Sequence, residues 1–334
     1  MTFLERYLAV LAGHPVDFLP RLPILMQFAA EHIGSNYGAF ASDHHVLVES
    51  NLACARDFGF EQVSTISDPY RETQGYGAEI VYVRDGVPRC PKPPLSDNKD
   101  LETLPRPDPL TAERMRDRID AVRMYRKLDG QQYSVLGWVE GPAAEAADLR
   151  GVSRFFTDLI DDPEWVCELM DICVDVAIEF ARIQVESGAD TIGIGDAVAS
   201  QVSPDMYESM IQTREKKLVG AIRAMGAKVR LHICGDTTHL LPGIAGLGID
   251  IMDVDHMVDM KTVREALGGN VCIAGNIDPA NGVYTGTAEE IRADVRRTYE
   301  IVGNPYMVTA GCEVPSGTPV KNLKALCEPV EWKK

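Results

Sequence analysis

The sequence has no run of about 18 apolar residues, so nothing in it reads as a membrane span. Basic residues are scarce: 33 Lys and Arg stand against 50 Asp and Glu, a net charge of −17. Such a chain repels nucleic acid and anionic membrane surfaces, so neither is expected as a partner. A polyanionic substrate would need a local basic cluster to override this field. The apolar stretch 7–12 is too short and badly flanked for a signal peptide, and a cytoplasmic location is expected. The eight cysteines show no framework spacing, which points to a reducing compartment with free or metal-bound thiols.

What the sequence does contain is an alternation. Strands are predicted at 23–28, 62–67, 133–140, 189–196, 229–233, 249–254, 271–275 and 306–310. Helices are predicted between them, among them 237–247, 260–267 and 287–302, a long helical region over 142–187, and a final one from Pro319. Eight strands each followed by a helix predict an α/β fold, a single (β/α)8 TIM barrel domain over 1–334. The periodicity of 5–12, stopped by Gly13 and Pro15, predicts an N-terminal helical extension. Segments 78–83 and 87–89, joined through Asp85-Gly86, predict a hairpin inserted after strand two and laid over the barrel mouth.

Within this frame one stretch carries chemistry: Val229-Arg230-Leu231-His232-Ile233-Cys234-Gly235-Asp236. His232 and Cys234 are two apart, so on an extended strand they share a face. Alone, the pair reads first as buried structural residues, because free cysteine packs as a small hydrophobe. Cys312, in Thr309-Ala310-Gly311-Cys312, lies just past the eighth strand. Barrel active sites lie at the C-terminal ends of the strands, which puts all three residues on one rim. Two thiolates and a neutral imidazole make a charge-neutral zinc set with one open position, as in a catalytic site. Asp253 or Asp255 would be a displaceable fourth ligand, or else an ordinary rim carboxylate. Glu140, Asp196 and Asn276 also fall at strand ends, where they would line the pocket or act as caps. His44 and His45 are adjacent, so their side chains are expected to diverge. Zinc with soft ligands suits activation of a thiol as a nucleophile toward a methyl carbon; activation of water is the competing use.

The chain resembles the uroporphyrinogen decarboxylase superfamily, and within it the methylcobamide:thiol methyltransferase branch. The resemblance rests on residues 11–17 (Leu-Ala-Gly-His-Pro-Val-Asp), Glu140-Gly141-Pro142, Leu149-Arg150-Gly151, Asp196-Ala197 with Ser200, and Ser203-Pro204-Asp205. Gly275-Asn276-Ile277-Asp278-Pro279 and Gly317-Thr318-Pro319 continue it. The branch carries a His-x-Cys and a later Cys as zinc ligands, matched here by His232, Cys234 and Cys312. The resemblance implies a methyl-corrinoid (methylcobamide) donor held on a small corrinoid-binding protein that docks over the barrel mouth. It implies a thiol acceptor such as coenzyme M, with homocysteine or a folate as other acceptors, and Co(I) and a thioether as products. A metal-free tetrapyrrole decarboxylase is the alternative. Against it, segment 27–32 (Gln-Phe-Ala-Ala-Glu-His) has no arginine where the decarboxylases place guanidiniums for their carboxylate-rich substrate. A non-catalytic barrel that binds a corrinoid protein or tetrapyrrole is a third reading.

Overall fold

The computed structural model describes residues 1–333. Among the described residues nine strands form: β1 Gln62–Ser64, β2 Val81–Val83, β3 Gly86–Arg89, β4 Ser134–Glu140, β5 Thr191–Gly195, β6 Lys228–His232, β7 Ile251–Val254, β8 Cys272–Gly275 and β9 Tyr306–Met307. Seven of them make one parallel sheet in the order β1-β4-β5-β6-β7-β8-β9. β4 and β5 are buried along their whole length, as strands covered on both faces must be. Helices follow the strands and pack outside them, which is the expected α/β barrel.

The eighth barrel position departs from expectation. No strand forms over 23–28; Gln27–His32 is instead a helix. The ring is closed one turn earlier, by residues 20–22. Leu22 N–H donates to Val308 (2.8 Å), Val308 N–H to Pro20 (2.8 Å), and Glu61 N–H to Arg21 (3.0 Å). Pro20 and Pro23 bracket this segment and lack an N–H, so the ladder cannot extend in either direction. β9 is likewise shorter than 306–310, and Ala310 pairs only as an isolated bridge to Ile277. The seam is held by charge. Fully buried Glu61 accepts Arg21 Nη2 at 2.8 Å and Arg6 Nη1 at 2.9 Å.

The N-terminal extension is the helix Phe3–Leu11, closed by a capping box between Thr2 and Glu5. Its Leu4, Tyr7 and Val10 pack against Ile251, Cys272, Ala274 and Met307, and the Tyr7 hydroxyl meets Thr191 Oγ1 at 2.7 Å. Thr191 opens β5, so this helix plugs the barrel at the end opposite the strand exits. β2 and β3 form the expected antiparallel hairpin. It packs on the short helix Tyr37–Ser42, with Gly38 N–H donating to Arg84 O at 2.9 Å, and sets Tyr82 5.4 Å from the Arg114 guanidinium. The long helical region divides into Pro142–Arg150, Val152–Asp161 and Pro163–Glu186. Gly151 at φ +88° turns the first junction, and Pro163 opens the third helix. The helix expected at 237–247 is a short 3-10 turn and Leu241–Ile244, since Pro242, Gly243 and Gly246 weaken a longer one.

Glu61→Ala would leave buried Arg21 without a counter-charge and Arg6 with Asp17 alone. A loss of about 3–5 kcal/mol in urea unfolding is expected for such a broken pair. A loss below about 1 kcal/mol would show that the seam does not depend on it.

Candidate metal centre at the strand exits

His232 is the last residue of β6 and Cys234 follows two positions later, at a bend completed by Gly235 at φ +92°. Cys312 arrives from the β9 side. Gly311 N–H donates to Ile277 O at 2.9 Å, and a Cβ on Gly311 would stand 2.5 Å from His256 N. Only glycine lets the two loops approach closely enough to place Cys312 on this rim.

The three donors meet. His232 Nε2 lies 3.1 Å from Cys234 Sγ and 3.8 Å from Cys312 Sγ, and the two sulfurs are 3.6 Å apart. All lie within 4.8 Å of one another. Tetrahedral zinc with these ligand types has donor–donor edges of about 3.5–3.8 Å, so the set fits such an ion with small adjustment. The Cys312 thiol is held down to about 4 by the hydrogen bond from Cys234 and by His232, burial opposing. Cys234 is pushed the other way by its bond to Cys312 and by burial. One thiolate is thus favoured in the pair even without an ion. Burial works against charge on His232, but Cys234 and Asp253 outweigh it and raise the imidazole.

Asp253 orients the histidine. Its Oδ2 is 3.1 Å from His232 Nδ1, leaving Nε2 for the sulfurs. Both Asp253 oxygens accept from Arg230 Nε at 2.9 Å, and Arg230 Nη1 reaches Gln62 Oε1 at 2.6 Å. Burial opposes charge on Asp253, but Arg230 and His232 hold it below the usual carboxylate range. Asp255 accepts from Gly235 N–H (2.9 Å) and Met257 N–H (3.1 Å), and its Oδ1 lies 2.9 Å from His256 Nδ1. Both aspartates are therefore committed to supporting the site, and neither joins the donor group as a fourth member.

A pocket of about 180 Å³ opens beside the cluster, lined by Ile24, Met26, Ile66, Pro69 and Trp138 and by Asp68, Glu140 and Glu313. Glu140 lies where expected. It is bonded to buried Arg71, and its Oε1 accepts from Trp138 Nε1 at 3.2 Å. Burial pushes it up to about 8, with Arg71 opposing and Glu72 adding to the rise. Asp196 and Asn276 do not line the pocket. Asp196 is fully buried and accepts Ala144 N–H at 2.7 Å, capping the helix that follows β4. Its side chain lies where a Cβ on Gly141 would fall, 2.5 Å away, which explains the glycine in Glu140-Gly141-Pro142. Asn276 donates to Val258 O (2.8 Å) and Asp255 O (3.3 Å), tying the loops after β7 and β8 together. His44 and His45 do not diverge: their ring centroids are 4.0 Å apart, because Asp117 holds one and Asp43 the other.

Asp68 falls at a strand end as the alternation predicts, whereas the alternation gives no such indication for Trp138 and Glu313. Trp138 stands in the space left by Gly193 and Gly195, where a Cβ would come within 2.2 and 2.9 Å of the indole. The Gly-x-Gly on β5 was the signal for it. Asp68 is clamped by both Arg114 nitrogens at 2.6 Å. Burial opposes its charge, but Arg114 and Arg71 hold it far below the usual range. Burial lifts Glu313 to about 7, with Gln27 N–H opposing and Cys312 adding; its adjacency to Cys312 was the signal.

The fold and rim cluster together define a (β/α)8 barrel with a His/Cys/Cys centre. The family described as uroporphyrinogen decarboxylase (URO-D) matches residues 2–332, and the chain belongs to it. It is 30% identical to the methylcobamide:CoM methyltransferase MtbA of Methanosarcina mazei over 97% of this chain and 96% of that one. It is 28% identical to the methylcobamide:CoM methyltransferase MtaA of Methanosarcina barkeri over the same shares. Among solved structures, a methyltransferase from Methanosarcina mazei superposes with a TM-score of 0.90 at 26% identity, covering 98% of this chain and 97% of the other.

Two measurements check the centre. The purified protein is expected to carry near-stoichiometric zinc that Cys234→Ser and Cys312→Ser each abolish, and Asp253→Asn should weaken zinc affinity about 10–100-fold. Zinc unchanged in both cysteine variants would refute the ligand set. The Asp68–Arg114 pair has a separate acid signature. The folded carboxyl titrates below its ordinary value of about 3.9, so its stabilisation is present above that pH and lost below it. Thermal melts of Asp68→Asn should lie well below wild type at pH 7 and converge with it on acidification; a gap independent of pH would refute the charge pairing.

Proposed function

We propose that this chain is a zinc-dependent methyltransferase that moves a methyl group from a protein-bound methylcobamide to a small thiol. The observation that carries the reading is the meeting of His232 Nε2, Cys234 Sγ and Cys312 Sγ within 4.8 Å on the rim. A zinc ion held there would lower the pKa of an acceptor thiol, so that the thiolate is available near neutral pH. The names of the full-length relatives, both methylcobamide:CoM methyltransferases, support the donor and the acceptor class.

The protein's own residues divide the remaining work. Asp253 fixes the His232 ring, and Arg230 behind it keeps that carboxylate charged. Ile24, Met26, Ile66 and Trp138 form an apolar wall that strips water from the sulfur nucleophile. The pocket suits a fragment-sized thiol, being smaller than the roughly 300–1,000 Å³ that larger ligands fill. The corrinoid, with its small carrier protein, would approach from the open mouth. In the transfer the thiolate sulfur forms the new S–CH3 bond while the Co–C bond breaks. Both electrons stay on cobalt, so Co(III) becomes Co(I).

Tetrapyrrole decarboxylation fits the same pocket poorly. Neither Lys nor Arg lines it, so a substrate bearing many carboxylates would be desolvated there with no cation to pair with.

The test is thiol-dependent demethylation of free methylcobalamin, followed by the Co(III)-to-Co(I) colour change. Activity should disappear on dialysis against a chelator and return with zinc, and Cys234→Ser should lower it at least 100-fold. Demethylation that survives complete zinc removal would overturn the reading, as would no reaction with any thiol.

A further inference from the structure

A second group of metal-type donors stands outside the pocket, where the helix His44–Phe58 begins beside the helix Glu113–Asp129. One donor atom from each of Asp43, His44 and His45 lies within 4.8 Å of the other two. Among the described residues, only this group and the rim cluster bring three such donors together. None of the three residues lines the pocket at the strand exits.

Adjacent side chains on a helix ordinarily point apart. Here two carboxylates hold the rings side by side, with centroids 4.0 Å apart. Asp117, on the second helix, accepts His44 N–H at 3.0 Å and lies 2.8 Å from His44 Nδ1. That contact leaves Nε2 as the ligand nitrogen, in the carboxylate–histidine arrangement that orients metal-bound imidazoles. Asp43 caps the first helix by accepting His45 N–H at 2.8 Å, and the same oxygen lies 3.0 Å from His45 Nδ1. Ligand bonds of about 2.1 Å at right or tetrahedral angles put neighbouring donors about 3.0–3.4 Å apart, so this oxygen and nitrogen already stand at the edge length of one coordination sphere. An ion would take the place of the proton in that contact.

Charge and access favour an ion as well. The start of a helix carries partial positive charge, but Asp43 and Asp117 both flank it. The His45 side chain is 66% exposed, so an ion reaches it directly from solvent. A polar cavity of about 200 Å³, lined by His44, Asp117 and Glu113 among others, leaves room for the waters that complete the sphere. Two imidazoles with one carboxylate suit zinc, nickel or copper; magnesium and calcium ask for oxygens.

We propose that Asp43, His44 and His45 form a second site for a divalent transition ion, separate from the rim cluster, with Asp117 as the residue that positions His44. Asp117 belongs to the neighbouring helix, so a bound ion ties the start of one helix to the flank of the other.

Titration calorimetry of the zinc-loaded protein with further Zn2+ should show one additional equivalent, weaker than the first. His44→Ala and the exposed His45→Ala should each weaken it at least about tenfold and leave the first equivalent in place. Cu2+ added at one equivalent to the zinc-loaded protein should show nitrogen hyperfine coupling in its paramagnetic resonance spectrum, and excess Mg2+ should not displace it. No additional equivalent would overturn the proposal, as would one unchanged in both histidine variants or one that Mg2+ displaces. The Cys234→Ser, Cys312→Ser double variant removes the rim cluster, and it should still bind one equivalent that His45→Ala weakens. That arm reads this site even if the rim centre binds no zinc and the methyltransferase reading fails.

Discussion

A single buried carboxylate connects the inside of the barrel to its chemistry. Asp253 lies on β7 between Arg230, whose guanidinium fills the barrel interior, and His232, which presents its other nitrogen to two sulfurs. Without Asp253, Arg230 would be an uncompensated buried charge and His232 would have no partner fixing its ring. The cost of burying the three groups is offset only because each satisfies another. The parallel register makes this possible, since it places Arg230 beside Ile251 and His232 beside Asp253 on adjacent strands. Scaffold and site therefore share one hydrogen-bonded chain, from Gln62 on β1 to Cys312 beyond β9.

The same economy governs the acidic wall of the pocket. A chain with an excess of carboxylates can line a cleft with them only if most are neutralised from behind. Arg71 and Arg114, both buried, do this for Glu140 and Asp68. Two glycines on β5 make room for Trp138, which supplies apolar surface and donates to Glu140. Water exclusion, charge balance and the shape of the cavity are thus set by the same few side chains. Glu313 has no arginine behind it among the described residues; it accepts Gln27 N–H, and burial raises it instead.

Much of the scaffold was legible in the chain because it depends on local pattern. The helix predicted at 260–267 is observed at Met260–Leu267, and the strands from β4 through β8 lie within one or two residues of the apolar segments that predicted them. The first strand was misplaced because Ile24 and Leu25 are buried in a loop, and apolar burial alone does not distinguish loop from strand. The stretch that closes the barrel, 20–22, is bounded by two prolines and carries little strand pattern; it pairs because Glu61 and Val308 offer it partners.

The residue types at 232, 234 and 312 and the alternation that places them at strand ends are properties of the sequence itself, because soft ligands and hydrophobic periodicity need no tertiary context to be recognised. Which of the neighbouring polar residues face the cleft was decided by folding alone. Asp196 became a helix cap and Asn276 a loop tie, while Glu140 and Glu313 line the pocket, although all four are polar residues at or near strand ends. The difference comes from long-range packing: Gly141 admits Asp196, Gly311 admits the loop carrying Asp255, and buried arginines decide which carboxylates keep their charge.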